Sequence, residues 1–475
     1  MKACLTLALL SVPALAAAGE KAAPTFSKDV APILFNNCVT CHRPGEAAPF
    51  SLLTFEDAKK RHKLIARVTN SRQMPPWKAD PGDVPLRNER RLKDADIAVL
   101  QQWVAAGAPE GNPKDLPAAP KFASTWTLGE PDLVVKMPKA FKVPAEGRDI
   151  YRNFAIALNL KEDKWVKAID FRPSASSVVH HSLFFLDTTG QAAKRELASG
   201  EVGSRGNMSA FGRAGGGKGK GFGGLSGLGG LGLGGLGGEG GTVGGLGGLG
   251  GWALGAQARS LPDGLAYHLP KGSDLILSTH FHMSGKAEEE ASTVAFYFTD
   301  KPPVQRFTGV QLPFGFGILA GINIAAGQKD FAIEDSFVLP IDVKAFGISA
   351  HAHYIAKTFK LTATPPEGKT KTLLQISDWD FGWQEQYRFQ DYVDLPKGTK
   401  LAVRITYDNS ADNPHNPTNP PKRVRWGKES TDEMGSMTLQ VVAAKEAEFS
   451  KLQEGYMRHL RDGAFKGALK RFDKK

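Results

Sequence analysis

The sequence predicts a multidomain protein in which a small α-helical domain is followed by two tandem antiparallel β-sandwich domains. The chain has 475 residues, too many for one ordinary core, and this length suggests about three domains. Its apolar fraction of 41% is sufficient for packed domains. Apolar residues recur at helical spacing near the N-terminus. From about Trp126 the period changes to two, which is typical of strands.

The first residues are typical of a secretory signal. Lys2 precedes an apolar stretch, and the small residues Ala16 to Ala18 follow it as a cleavage site. The apolar stretch is too short to span a bilayer, and no other long apolar run occurs. We therefore predict a signal peptide over residues 1–18, no transmembrane segment, and an exported protein, periplasmic or secreted.

The helical part is expected over residues 24–111. Near its end, the apolar residues lie three and four positions apart on one helix face: Ile97, Leu100, Trp103 and Val104. Gly107 and Pro109 then end the helix. Residues 112–125 are rich in Pro and Ala and are interpreted as a linker.

The β part divides into two sets of short strands separated by turn residues. We predict β domains over residues 126–300 and 305–443 and a charged helical tail over 444–475. Residues 212–251 interrupt the first domain, because 24 of these 40 residues are glycine. Ordering such a segment costs too much backbone entropy, so we interpret it as a flexible insertion.

Net charge and cysteine usage restrict the function. The net charge is +11, but the Lys and Arg residues are scattered and no nucleic-acid motif occurs, so a solvated basic surface is expected. Of the three cysteines, Cys4 lies in the signal. The remaining two, Cys38 and Cys41, belong to one motif, which predicts a mature protein without structural disulfides.

That motif, Cys38-Val-Thr-Cys41-His42, predicts one covalently attached c-type haem with His42 as the proximal ligand. A redox dithiol and half of a zinc site are the alternatives, but no second cysteine pair completes a zinc site. Met74 is the candidate for the other axial position, because a thioether suits electron transfer. His62 is its competitor.

Five of the 11 histidines fall in three strand-like segments, which points to a metal. His180 and His181 are adjacent, so sharing one metal requires a bulge, a strand end or the use of different ring nitrogens. His280 ends an apolar run, and His282 could substitute for it. His351 and His353 are two apart and therefore face the same side of a strand. Imidazole suits Cu, Zn, Fe and Ni, and an added thioether favours Cu(I).

From about Trp126 to Val442, apart from the glycine-rich insertion, the chain resembles the copper type II, ascorbate-dependent monooxygenases, the family of the peptidylglycine α-hydroxylating and dopamine β-monooxygenases. The motifs that match occur in family order: Ala168-Ile-Asp-Phe-Arg-Pro with His180-His181, Leu261-Pro-Asp-Gly with the strand to His280, His351-Ala-His353, and Asp432-Glu-Met434. The N-terminal part resembles bacterial c-type cytochrome domains. Together the resemblances imply a cytochrome c domain and two jelly-roll-like β-sandwich domains, with one copper on each side of a solvent cleft.

The resemblance also implies the role of each ligand. His180, His181 and His280 would hold an electron-transfer copper. His351, His353 and Met434 would hold the catalytic copper that binds O₂ and substrate. The implied activity is hydroxylation of a C–H bond of a small organic substrate. Electrons would come from an ascorbate-like external donor or from the haem.

The sequence departs from the peptidylglycine enzymes at the residues that bind substrate. Ser349 stands where those enzymes place a substrate-binding arginine, and Ser436 and Thr438 replace an Asn and a Tyr. We therefore expect two copper sites but not peptide amidation. The alternative functions are a non-catalytic copper-binding protein and an electron-transfer cytochrome.

Overall fold

The computed structural model describes residues 23–44, 48–122, 126, 128–205, 246–253 and 256–472. The predicted signal peptide and residues 212–245 of the predicted insertion lie outside these ranges. The chain divides into two compact units. One unit is helical and the other consists mainly of β-sheet. Within the described ranges, no helix is both long enough and apolar enough to cross a membrane.

The helical unit ends at Pro75 and resumes from Leu92 to Lys121. Its elements are a π-helical turn at Phe26–Val30 and the helices α1 (Ala31–Asn37), α2 (Phe55–Asn70) and α3 (Asp94–Ala105). The Thr54 side chain caps α2 by accepting from Asp57 N–H. The predicted helix face is confirmed, because Ile97, Leu100 and Trp103 are buried in the core of this unit and the partly buried Val104 packs against it.

The predicted fold class is wrong. The chain is mostly β-sheet with only a few helices, and its N-terminal helices do not form a clear cytochrome c domain. Residues 76–91, which fall inside the predicted helical range, belong to the β unit. This segment joins the β unit because Trp77 and Ala79 are buried in the core of the β-sheets. Apolar spacing along a chain does not tell which core a side chain will enter.

The first β region contains a four-stranded sheet in the order β1-β11-β4-β8 and a five-stranded sheet in the order β6-β3-β9-β5-β7, all paired antiparallel. Strands β10 and β2 form a separate ribbon. One core lies between the two larger sheets and includes Val166, Phe296, Phe184 and Leu277. The strands are β1 (Leu133–Lys136), β2 (Phe141–Val143), β3 (Ile150–Ala157), β4 (Lys164–Arg172), β5 (Val179–Asp187), β6 (Ser204–Arg205), β7 (Leu246–Ala253), β8 (Tyr267–Leu269), β9 (Asp274–Phe281), β10 (Glu288–Glu290) and β11 (Thr293–Thr299). A helix, α4 (Gln191–Ser199), follows β5.

The second β region contains two four-stranded antiparallel sheets, ordered β12-β21-β15-β18 and β14-β19-β16-β17, and a ribbon of β13 and β20. Its strands are β12 (Phe307–Leu312), β13 (Asn323–Ile324), β14 (Phe331–Val338), β15 (Val343–Ala352), β16 (Ala356–Thr364), β17 (Lys371–Ile376), β18 (Gln386–Leu395), β19 (Lys400–Tyr407), β20 (Val424–Arg425) and β21 (Gly435–Ala443). A single helical turn, α5 (Phe314–Gly317), follows β12. The final helix, α6 (Phe449–Phe472), buries Phe449, Leu452, Tyr456 and Leu460 in the same core.

The C-terminal end of the glycine-rich segment is a strand, so the prediction of a flexible insertion over residues 212–251 is wrong for its last six residues. Strand β7 pairs with β5, with Ala253 opposite His181. Glycine is required where the two strands approach closely. A Cβ on Gly251 would lie 2.9 Å from both Leu183 Cδ2 and Ser182 O.

Candidate metal centre

A β-bulge brings His180 and His181 to the same side of the sheet. Strands β5 and β9 pair Val179 with Phe281 and His181 with His280, and the register shifts between these two pairs. His180 is therefore an extra residue in β5, and it escapes the alternation that would separate adjacent side chains. Of the arrangements expected from the sequence, the structure contains the bulge.

Three imidazoles converge at this bulge. His180 Nδ1 lies 3.1 Å from His280 Nδ1 and 2.9 Å from His181 Nδ1. The ligand atoms of all three residues lie within 4.8 Å of one another, so the group could hold a metal ion. His180 and His280 are buried and His181 is partly buried. We call His180, His181 and His280 the three-histidine group.

Asp149, which precedes β3, fixes the orientation of the His280 ring through a hydrogen bond. Its carboxylate accepts from His280 Nε2 at 2.9 Å and from His282 Nδ1 at 2.8 Å. It also accepts from the Ser430 backbone N–H at 2.8 Å and the Ser430 hydroxyl at 2.6 Å. Because His280 donates through Nε2, its Nδ1 retains the lone pair that a metal needs. The ligand atoms of His280 lie with those of His180 and His181, whereas His282 Nε2 lies 3.4 Å from the Tyr354 hydroxyl, so His280 belongs to the group.

Burial sets the charge state of these side chains. It lowers the pKa of His180 and His181 well below the usual value, and neighbouring histidines lower it further. Burial alone would raise the pKa of Asp149, but the contacts from His280 and His282 outweigh it and hold this pKa low. At neutral pH the site therefore contains the Asp149 carboxylate and the neutral rings of His180 and His181, the form of imidazole that binds metals.

His351 and His353 lie at the end of β15, beside the start of β21. The register pairs His351 with Ser436 and Ala352 with Gly435, so His353 and Met434 both follow at the adjoining strand ends. The ring centroids of His351 and His353 are 5.6 Å apart. His353 and Met434 are buried, and His351 is partly buried. We call His351, His353 and Met434 the second group.

The second group presents the opposite ring nitrogen. His351 Nδ1 donates to Gln384 Oε1 at 2.7 Å, and His353 Nδ1 donates to the Asp432 carbonyl at 3.2 Å. Both Nε2 atoms are therefore left with a lone pair. Burial lowers the pKa of His351 to about 4 and that of His353 to about 3, so both rings are neutral near pH 7.

The two groups lie next to each other. The ring centroids of His181 and His351 are 6.0 Å apart. Phe381 stacks on His180 at 4.0 Å and also contacts His353 at 5.9 Å. The loop between β17 and β18 therefore supplies side chains to both groups, although each group is built on a different pair of strands.

The predicted haem-binding residues lie in the helical unit. Cys38 and Cys41 are partly buried thiols that form no disulfide, and the backbone N–H groups of Cys41 and His42 donate to Cys38 O at 3.1 and 2.9 Å. His42 Nδ1 donates to Phe50 O at 3.1 Å, which leaves Nε2 with a lone pair. Burial lowers the pKa of His42, and the contact with Phe50 opposes this effect.

Met74 and His62 remain open as candidates for a second axial ligand. Met74 is partly buried and its backbone N–H donates to Val68 O at 3.0 Å. His62 Nδ1 donates to Lys59 O at 2.6 Å. Within the described part of the helical unit, none of the contacts of either residue joins it to His42.

Sequence reasoning missed Asp149, Gln384 and Glu433. Glu433 is fully buried and accepts from the backbone N–H groups of His353 at 2.6 Å and Met434 at 2.8 Å. It therefore holds the ends of β15 and β21 together. Its position directly before Met434 was visible in the sequence. Asp149 and Gln384 lie in connecting segments far along the chain from the histidines they contact, and no local pattern distinguishes them.

No protein-family model matches the sequence, and no curated protein matches it. The solved structure of PNGF-II is similar at 9% identity and a TM-score of 0.23, over 64% of this chain and 66% of that one. A peptide-N(4)-(N-acetyl-beta-D-glucosaminyl) asparagine amidase is similar at 8% identity and a TM-score of 0.26, over 66% and 96%. Recombinant N-glycanase F is similar at 8% identity and a TM-score of 0.25, over 66% of this chain and 95% of that one. TM-scores this low carry no information on fold or activity.

Proposed function

We propose that this chain is a copper-dependent monooxygenase that hydroxylates a C–H bond of a small organic substrate with O₂. One observation carries the proposal. Two neighbouring groups of histidines bring candidate ligand nitrogens together, the Nδ1 atoms of the three-histidine group and the free Nε2 atoms of His351 and His353, and Met434 adds a buried thioether. Such a donor set favours copper over harder metals.

We expect the two groups to have different roles in the reaction. The three-histidine group would hold one copper through imidazoles alone, a donor set that accommodates both copper oxidation states. His351, His353 and Met434 would hold the other copper, whose reduced form the thioether favours. Together the bound coppers would supply O₂ activation and the second electron that hydroxylation requires.

The protein's own side chains prepare this chemistry. Asp149 and the Asp432 carbonyl fix His280 and His353 in the tautomers that leave the ligand nitrogens free. Phe381 stacks on the buried ring of His180. Glu433 fixes the strand ends on which His353 and Met434 lie.

The resemblance to the copper type II, ascorbate-dependent monooxygenases agrees with these roles, and we propose an ascorbate-like reductant as the external electron donor. Peptidyl-glycine is excluded from the proposed substrates. Ser349 occupies the position of the family's carboxylate-binding arginine, and it cannot supply that charge. An uncharged C–H substrate fits this substitution better.

We also propose that Cys38, Cys41 and His42 carry one covalent haem on an exported, periplasmic or secreted protein. Two thiols three residues apart and an imidazole with a lone pair on Nε2 are the donors that such a group requires. A pyridine haemochrome assay tests this proposal. Replacing both cysteines by alanine should abolish haem that survives denaturing electrophoresis, and haem retained in that variant would contradict it.

Metal analysis combined with O₂ uptake tests the main proposal. Purified protein loaded with copper and dialysed should retain two copper ions per chain and consume O₂ with ascorbate only when a substrate is present. Copper without O₂ uptake, over a broad panel of small substrates, would identify a copper-binding protein instead. Loss of copper on dialysis would contradict both copper functions and leave only electron transfer.

A further inference from the structure

One buried amide touches both histidine groups. The Gln384 side chain, 5% exposed, reaches into the space between them. Its Oε1 lies 2.7 Å from His351 Nδ1, and its Nε2 lies 3.2 Å from His180 Nε2 and 3.1 Å from Phe381 O. Gln384 is therefore the common neighbour of a ligand candidate from each group.

The Phe381 carbonyl fixes which way this amide points. A carbonyl oxygen can only accept, so the atom of Gln384 that faces it must be the NH₂ group. Turning the amide over would set two oxygens against each other at the same 3.1 Å. With the NH₂ group held there, its second N–H donates to His180 Nε2, and Oε1 accepts from His351 Nδ1.

This orientation decides the tautomer of His180. Because His180 Nε2 accepts a hydrogen bond from the Gln384 NH₂ group, it carries no proton, and the proton of the ring is on Nδ1. That Nδ1–H faces His280 Nδ1 at 3.1 Å and His181 Nδ1 at 2.9 Å. His280 Nδ1 is a free acceptor, because His280 donates through Nε2 to Asp149. Each donor points to the next acceptor, from His351 through Gln384, His180 and His280 to Asp149.

We propose that Gln384 is a positioning residue that ranks the two metal sites by fixing the protons of His351 and His180. It holds His351 in the tautomer whose Nε2 is free for a metal. It holds His180 in the tautomer whose Nδ1, the atom facing the three-histidine group, is occupied by a proton.

The consequence for metal loading rests on the proposed function. A metal at His180 Nδ1 requires the His180 proton on Nε2, where it faces the N–H of Gln384 instead of an acceptor. A metal at His351 Nε2 keeps its favourable Nδ1–H contact with Oε1. Partners of this kind change metal affinity about ten- to a hundredfold. The second group therefore fills before the three-histidine group.

The tautomers can be tested without metal by ¹⁵N NMR of histidine-labelled protein. We expect Nδ1–H on His180 and His351 and Nε2–H on His280. Gln384→Leu should shift the nitrogens of both His180 and His351. Gln386→Leu, a matched change two residues along the chain whose amide contacts Gly251 O instead, should leave them in place. Nε2–H on His180 in the wild-type protein, or no shift in Gln384→Leu, would overturn the proposal.

Copper(I) competition titrations test the ranking. His181→Ala should remove copper binding at the three-histidine group, and His353→Ala should remove it at the second group. The dissociation constant that disappears in each variant is assigned to that group. The ratio of the three-histidine constant to that of the second group should fall about tenfold in Gln384→Leu. It should fall equally in Gln384→Glu, whose carboxylate accepts from both rings. Ratios unchanged within about threefold in both variants would overturn the ranking even if two coppers bind. Failure to bind any copper would instead contradict the proposed function, and the NMR result would still decide the orientation of Gln384.

Discussion

At the scale of single residues, the site depends on which ring nitrogen of each histidine is occupied. Asp149 takes Nε2 of His280, and the Asp432 carbonyl takes Nδ1 of His353. A histidine with one nitrogen occupied by an acceptor offers the other to a metal. The hydrogen-bond acceptors of the histidine rings are therefore as important for metal binding as the histidines themselves. Each acceptor can be tested by a separate substitution.

Replacing Asp149 by Asn should weaken copper binding at the three-histidine group about ten- to a hundredfold. The amide removes the charge that holds the Nε2–H of His280, so the ring loses its fixed orientation. Copper(I) competition measures the effect. Asp163→Asn is the matched control, because Asp163 accepts from His268 Nε2 at 2.9 Å in an exposed pair. Equal affinities in the two variants would contradict the role of Asp149.

Replacing Met434 by Leu should lower hydroxylation more than about tenfold and remove copper from the second group. Leu keeps the volume of this buried side chain but has no sulfur, so the preference for Cu(I) is lost. The three-histidine copper should remain, as copper analysis will show. Met437→Leu is the control, since Met437 is 0% exposed and lies opposite Ala350 in the core. Loss of the second copper in Met437→Leu, but not in Met434→Leu, would identify Met437 as the ligand.

The thiol of Cys38 should resist alkylation in protein prepared without haem. Burial raises its pKa to about 12, and Cys41 adds to the shift. A raised thiol pKa leaves little of the reactive thiolate at pH 8, and this fraction grows about tenfold per pH unit until the pKa is reached. Mass spectrometry after iodoacetamide treatment measures the rate, with urea-unfolded protein as the control. A folded rate equal to the unfolded rate at pH 8 would show that Cys38 is not desolvated.

At the scale of elements, the candidate metal ligands lie where regular strand pairing stops. His180 is the extra residue of a bulge, and His353 and Met434 lie one position beyond the paired ends of β15 and β21. Regular strands send adjacent side chains to opposite faces, so these interruptions are what turn several side chains towards one point. Small changes in strand spacing near these ends should therefore affect metal binding.

Replacing Gly435 by Ala should disturb the second group. A Cβ there would overlap the Tyr407 hydroxyl, which donates to Met434 O at 2.8 Å. Overpacking of this kind costs about 1–3 kcal/mol in the free energy of unfolding, and it should displace Met434. Thermal unfolding and copper stoichiometry measure both effects. Tyr407→Phe in the same chain removes the overlapping oxygen and should recover part of the stability; no recovery would place the damage elsewhere.

At the scale of the whole molecule, the order of elements along the chain differs from their order in space. Residues 76–91 leave the helical unit and join the second β region. Leu86 bridges to Phe389, and Arg87 N–H donates to Arg388 O at 2.7 Å, so this segment lies along the edge of β18. Trp77 anchors the segment, with its ring edge against Tyr387 at 5.1 Å.

Replacing Trp77 by Ala should therefore destabilise the β unit, although the residue is flanked in sequence by the helical unit. Loss of a buried Trp costs about 3–5 kcal/mol. Hydrogen exchange should show faster exchange in β15 and β18 and unchanged exchange in α2 and α3. Trp103→Ala is the matched control, because Trp103 is fully buried in the helical unit, and it should give the opposite pattern. Loss of protection in α2 and α3 on replacing Trp77 would contradict the assignment.

The sequence alone determined the local features of this protein. Period-two runs predicted strands that the structure contains, including β5, β9, β14 and β19, and the helix α3 ends where Gly107 and Pro109 predicted. The five clustered histidines predicted a metal, and His180, His181 and His280 do form a group that could hold one. Strand and helix periodicity and a His-x-His spacing are local properties, so they can be recognised without knowing the rest of the fold.

Only the tertiary structure decided which residues come together over long distances in the chain. It brought His280 to His180 and His181, placed Trp77 in a β core, and set Gln384 between His180 and His351. It also showed that the N-terminal helices do not form a clear cytochrome c domain. These outcomes depend on burial and on hydrogen bonds between residues that lie 33 to 204 positions apart, and no spacing rule along a single chain contains that information.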